Sequence, residues 1–226
     1  MNFPFFLTLT LSCMGSLAFA TPQKCVWDFN DLKGWSYESQ DKNPDKQCAI
    51  ANGALKIWTK AGSVDRKKVH TTDKIYTSGR YKWRTFISPM GKGDQASIGS
   101  WIYCDDQHEI DFEVGYGTQK ARQQLKAKNN ELIVYMTNQA HPYSSITATI
   151  KPGWHIFEID LSVVNGKYKT QWFIDGKLKH TLQQTFGPEI AFLIYCSVEN
   201  LSFLGDHRAT KDNYGLFDRV EYTPHP

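Results

Sequence analysis

Apolar and polar residues take turns along this chain in one short run after another, and a period of two is the signature of β-strands with one buried face. The runs that read as strands are Leu55–Thr59, Tyr81–Ser88, Ala96–Tyr103, Glu109–Val114, Leu132–Thr137 and Ser145–Ile150, followed by His155–Leu161, Thr170–Ile174, Lys177–Leu182, Ala191–Val198 and Gly215–Tyr222. Asp175-Gly176 separates two of them and signals a tight hairpin with positive-φ turn residues. Lys151-Pro152-Gly153 and Gly187-Pro188 punctuate the rest. Helical periodicity is almost absent; polar Gln119–Lys128 reads as a short helix or a loop. No linker, charge block or repeat interrupts residues 21–226, so the reading is one domain. Many short strands closed by turns predict an all-β, two-sheet sandwich of jelly-roll type.

One run carries chemistry as well as structure. In His108-Glu109-Ile110-Asp111-Phe112-Glu113-Val114, three carboxylates alternate with three apolar residues. The acids therefore share one face, and the apolar set packs into the core. Like charges on one face repel, which raises the pKa of at least one member. Glu109 and Glu113 stand four residues apart, roughly 13 Å between Cα atoms at about 3.3 Å per residue. Side chains leaning inward bring the carboxyls toward the ~5–5.5 Å separation of retaining glycosidases. A solvated acidic face or a calcium ligand set is the plainer alternative for the same pattern. The apolar face opposite the acids predicts a central place for this strand in a concave sheet.

Composition narrows the classes. The chain has 226 residues, enough for a sizeable core, and 14% are aromatic, with 7 Trp and 11 Tyr. Aromatics suit strands and also platforms for flat ligands. A net charge of +3 is too mild to argue for nucleic acid or an anionic membrane as partner. Arg66-Lys67-Lys68 reads as a solvated turn.

Met1–Ala20 has an apolar core beginning at Phe5–Leu11 and ends in Ala18-Phe19-Ala20, the small-x-small pattern of a secretory signal, although Lys and Arg are missing from its start. The protein is thus expected outside the cytoplasm, secreted or periplasmic, with no membrane span once the signal is removed. Cys25, Cys48, Cys104 and Cys196 remain after that removal. An even count in an exported chain points to two disulfides, read as Cys25–Cys48 and Cys104–Cys196, with free buried thiols as the alternative.

With the acidic strand, the hairpin and the strand order in hand, the chain resembles glycoside hydrolase family 16, a family with a concanavalin A-like jelly roll. Its acidic strand has the uninterrupted form E-x-D-x-E of lichenases and xyloglucan transglycosylases. The likeness spans nearly the whole mature chain. Asp28-Phe29-Asn30 with Gly34-Trp35 resembles the opening segment, and Asn52-Gly53-Ala54-Leu55 an N-G-x-L turn. Gly79-Arg80-Tyr81-Lys82-Trp83-Arg84 resembles a G-R-Y-E-x-R strand, Val134-Tyr135-Met136-Thr137-Asn138 an N-Y-Y-T-N strand, and Trp172–Thr181 a W-Y-V-D-G-Q-L-K-H-T hairpin.

By that resemblance Glu109 is the nucleophile, Glu113 the acid/base, and Asp111 the neighbour that keeps the two in different protonation states. Trp101, Tyr103, Tyr135, Asn138 and Tyr195 become candidate sugar contacts. Alternation lets one parity per strand face a cleft, which favours Tyr135 over Asn138. Core packing is the alternative for these aromatics. Two departures stand out. A lichenase L-W-N-G segment aligns with Ile194-Tyr195-Cys196-Ser197, and a later Trp with Phe203. Arg66, Lys68 and His70 compete to replace an arginine expected before the G-R-Y strand.

The family also implies a structural calcium, with Asp218 as carboxylate ligand and a backbone oxygen near Gly53; the alternative pairs Asp218 with a neighbour such as Arg219. No cofactor is expected for catalysis. The resulting expectation is an exported, monomeric, retaining endo-β-glycan hydrolase whose partner is a polysaccharide, read as a β-glucan. A transglycosylase, a non-catalytic carbohydrate-binding domain and a calcium-dependent adhesion domain are its rivals.

Overall fold

The alternating runs pair into two antiparallel sheets in a computed structural model that describes residues 23–139 and 141–226. The proposed signal segment Met1–Ala20 and Cys13 lie outside the described residues. One sheet contains β1 (Cys25–Trp27), β3 (Cys48–Ala51), β4 (Ala54–Thr59), β6 (Gly79–Ile87), β11 (Gly153–Val164), β12 (Lys167–Ile174), β13 (Lys177–Gln183) and β15 (Asn213–Pro224). Its order is β13-β12-β11-β6-β15-β4-β3, with β1 also paired to β15. The other contains β2 (Trp35–Ser39), β5 (Arg66–Thr71), β7 (Ala96–Asp105), β8 (His108–Gly115), β9 (Leu132–Asn138), β10 (Ser144–Ile150) and β14 (Leu193–Asn200). Its order is β10-β9-β8-β7-β14-β5-β2, so the acidic strand β8 is an interior strand. The predicted sandwich is the observed one.

All eleven predicted runs are strands, and the Asp175-Gly176 turn has the expected positive φ at both residues, 50° and 73°. The polar segment after β8 forms one short helix, α1 (Gln119–Leu125), capped by the Thr118 side chain. Four strands escape the sequence pattern: β1, β2, β3 and β5. The last is a correction of substance. Arg66-Lys67-Lys68 is not a solvated turn but the start of β5, with both lysines buried. Each buried ammonium has a carboxylate partner. Lys67 Nζ lies 3.0 Å from Asp41, and Lys68 Nζ lies 3.1 Å from Glu199. Burial of lysine requires such pairing.

The core lies between the sheets. Ile110, Phe112 and Val114, the apolar parity of β8, are wholly buried there. Phe112 meets Phe157 of the other sheet with ring centroids 5.0 Å apart. Removing such a ring costs about 3–5 kcal/mol. Two indoles tie the sheets together through hydrogen bonds. Trp172 Nε1 donates to the Asp111 carbonyl at 3.1 Å, and Trp83 Nε1 donates to the Tyr195 carbonyl at 3.0 Å. Both acceptors lie on strands that carry candidate site residues, so the core fixes the backbone beneath those side chains.

The cysteine pairing is corrected too: Cys25, Cys48, Cys104 and Cys196 are all free thiols. Cys196 stands opposite Ser100 across β14 and β7. Cys104 is four residues further along β7, roughly 13 Å at about 3.3 Å per residue, beyond the ~7 Å Cα limit for a bridge. Cys25 pairs with Tyr222 on β15, whereas Cys48 pairs with Ile57 on β4. Among the described residues, no helix is long and apolar enough to cross a membrane.

Candidate active site

Strand register assembles the site in rows. Glu113 stands between Tyr135 on β9 and Gly99 on β7, and the row continues through Ser197 on β14, Lys68 on β5 and Glu38 on β2. The next row joins Thr137, Asp111, Trp101, Tyr195 and His70. Tyr103 faces Glu109 in a third. Because each strand alternates faces, these residues share the side of the sheet away from the core.

Together they form a cleft of about 320 Å³ whose lining includes Glu109, Asp111, Glu113, Trp101, Tyr103 and Tyr195. A larger hollow of about 600 Å³ beside α1 is lined by Lys92, Arg122, Lys126 and His207, with Asp206 its single carboxylate. It offers no acid pair, so volume is a poorer guide here than the chemistry of the lining.

The three acids differ in surroundings. Glu109 is partly exposed, and Gln139 Nε2 donates to its Oε1 at 3.2 Å. Burial raises its pKa, while Gln139, Lys68 and Arg66 pull the other way. Asp111 is almost wholly buried in the cleft floor and accepts from the Thr137 amide at 3.1 Å. Burial, then the charges of Glu109 and Glu113, push it well above the usual carboxylate range. Glu113 accepts a short hydrogen bond from the Ser97 hydroxyl. Burial first, and the charge of Glu199 second, push Glu113 up to about 8. Burial thus biases Asp111 and Glu113 toward the protonated form, while Glu109, the most open of the three, has Gln139, Lys68 and Arg66 acting toward its charged form.

The aromatic candidates fall into three groups. Trp101 and Tyr195 stack face to face, 3.9 Å between centroids at 14°. They are only 6% and 4% exposed, so they pave the floor of the cleft and do not offer open ring faces. Trp101 also gives its indole N–H to Ser197 Oγ at 3.0 Å. Tyr103 is more open, and its hydroxyl donates to Asp106 at 2.8 Å. Tyr135 is half-buried beside Glu113.

Asn138 is not brought into the cleft. It pairs with Ile110, on the core parity of β9, and is fully buried with its amide donating to the Pro142 carbonyl and its oxygen accepting from Gln184. Asn138 follows Tyr135 by three positions, an odd offset that places them on opposite faces.

Sequence reasoning missed several residues that line the cleft or lie against Glu113. Ser97, Gly99, Gln139 and Glu199 were all outside it, and Lys68 and Arg66 entered only as rivals for another role. Glu199 is buried and binds Arg66 Nε at 2.6 Å and Lys68 Nζ at 3.1 Å. The alternation Tyr195, Ser197, Glu199 along β14 was the signal that pointed to it.

The calcium expectation rests on Asp218 and a backbone oxygen near Gly53. Asp218 is bound by the Arg84 guanidinium, not by Arg219, which pairs with Asp28 and Glu221. Asp218 Oδ1 is buried without a protein partner, a single oxygen beside a guanidinium. Calcium takes about six to eight oxygens, and among the described residues no three His, Cys, Asp or Glu gather into a metal-binding group. Asp218 and Gly53 line the same hollow.

No protein-family model matches the chain, and no curated protein matches it. Solved structures do. A β-glucanase from Bacillus licheniformis superposes with a TM-score of 0.62 at 14% identity, over 91% of this chain and 100% of that one. The fold is glucanase-like. A LamA structure from Z. galactanivorans in complex with laminaritriose and laminaritetraose gives 0.63 at 13% identity, over 90% and 99%. A glycoside hydrolase family 16 endo-glucanase from Bacteroides ovatus gives 0.60 at 12% identity, over 88% and 99%. At these identities the likeness establishes the jelly-roll fold of family 16 glucanases, and function has to be argued from the cleft.

Proposed function

We propose that the protein is a retaining endo-β-glycan hydrolase. The observation that carries this reading is the placement of Glu109, Asp111 and Glu113 side by side along one cleft with unequal environments. Two carboxyls, one ionised and one protonated, are what double displacement at a sugar requires. Glu109 attacks the anomeric carbon while Glu113 gives its proton to the departing oxygen; the glycosidic bond breaks and a glycosyl ester forms. Glu113, now ionised, takes a proton from water, whose oxygen displaces Glu109 and frees the sugar. Asp111 stays beside both and disfavours simultaneous ionisation of the row.

The floor made by Trp101 and Tyr195 positions the acids, while Tyr103 and the exposed Phe203, also in the lining, offer apolar surface to a pyranose ring. The glucanases among the structural neighbours favour a β-glucan. Met1–Ala20 supports export as the route to such a polymer.

Incubation with barley β-glucan, laminarin, xyloglucan, agarose and carrageenan, followed by product analysis, tests the reading. Shortened oligosaccharides from one polymer, lost in Glu109→Ala and Glu113→Ala variants, are expected. Binding without cleavage by the unaltered protein rejects it in favour of a carbohydrate-binding domain. Longer products on adding an acceptor oligosaccharide identify transglycosylation.

A further inference from the structure

The cleft holds a third buried carboxylate, beside Asp111 and Glu113, that the double displacement does not use. Glu199 on β14 lies directly opposite Ser97 on β7, and the Ser97 hydroxyl donates to Glu113 on β8. Two cations on β5 hold Glu199: Arg66 Nε at 2.6 Å and Lys68 Nζ at 3.1 Å, with Gln40 accepting from Lys68 at 3.0 Å. The order β8-β7-β14-β5 sets the electrostatics. Glu199 is rooted two strands from Glu113, and the cations three strands away. By strand order the carboxylate is rooted between Glu113 and both cations; Arg66 shares its register row and Lys68 shares that of Glu113.

We propose that Glu199 is a positioning residue of this site: clamped in its ionised form by Lys68 and Arg66, it shields Glu113 from those cations and keeps the transferable proton on Glu113. The functional part of this rests on the reading of Glu113 as proton donor; the electrostatic part does not. Other groups face Glu113 from every side. Glu109 and Asp111 flank it on its own strand, Tyr135 adjoins it on β9, and Glu38 ends the row on β2. The carboxylate on β14 is the one rooted between the strand of Glu113 and the strand of the cations, one register row from the Glu113–Lys68 row. The direction of Glu113's titration agrees, since the charge of Glu199 raises it more than Lys68 lowers it.

Two isosteric or near-isosteric changes separate this role from a structural one, because they move Glu113 in opposite directions. In Glu199→Gln the shield is lost and the cations act unopposed. In Lys68→Met one cation is lost and Glu199 remains. The readout is the ¹³C titration of the Glu113 carboxyl in the full chain, with no substrate present, and its signal identified by its loss in Glu113→Gln.

The expected result is a fall of about one pH unit or more in Glu199→Gln and a rise in Lys68→Met. Arg66→Gln, at a partly exposed position, also predicts a rise and carries the test should Lys68→Met fail to fold. An unchanged Glu113 in Glu199→Gln, or movement in the same direction in both variants, overturns the proposal. A shift of the expected sign in a protein that cleaves no glycan upholds the electrostatics and refutes the hydrolase reading. The two failures are therefore distinct.

Discussion

Gly99 stands directly opposite Glu113, and a Cβ at that position lies 2.9 Å from Glu113 Oε1 and closer still to Ser197 Oγ. The missing side chain makes room for the carboxyl of the next strand. Gly99→Ala overpacks this spot, at a cost of about 1–3 kcal/mol in stability. It also displaces the Glu113 carboxyl, and misplacement of about 1 Å costs a reaction on the order of 100-fold. Glycan hydrolysis is expected to fall much further than the melting temperature, as parallel assays of activity and thermal unfolding measure. Full activity in Gly99→Ala contradicts the placement.

Stability should decline with pH in a way that Glu113 controls. Its folded pKa, about 8, is above the ordinary 4.5. Between those values the native state keeps a proton that the unfolded chain releases, so stability falls as pH rises through that window. Glu113→Gln never ionises and removes that component. Urea titrations at pH 5 and pH 8 should show a smaller loss for the variant, a difference of a few kcal/mol at most. Asp111, also raised by burial, leaves a residual slope of the same sign. Parallel curves for the two proteins would count against a protonated Glu113.

The thiols give a separate test. Cys25, Cys48, Cys104 and Cys196 should each take one alkyl group in denaturant without reductant. Mass spectrometry counts the labels, and labelling that requires prior reduction argues for disulfides instead.

Legibility from sequence followed burial. Strands with one apolar face announced themselves, and β8 did so twice, through Ile110, Phe112 and Val114 and through its acids. Where polar residues are buried, hydropathy misleads. Arg66, Lys67 and Lys68 look solvated because their partners Asp41 and Glu199 are 25 or more residues distant along the chain. Glu199 was lost for the same reason, at the end of a strand read as stopping at Val198. Parity, by contrast, separated the faces of Tyr135 and Asn138, although Tyr135 is not among the residues that line the cleft. Cysteine counting failed because an even number sets no distance, and register places Cys104 and Cys196 far apart.

The most direct measurement of the central claim is ¹H NMR of the first products released from a cleaved β-glycan, recorded in D₂O before mutarotation. Two displacements in succession, by Glu109 and then by water activated at Glu113, predict that the new reducing end appears first as the β-anomer. An initial α-anomer, or formation of β-product undiminished in Glu109→Ala, contradicts it.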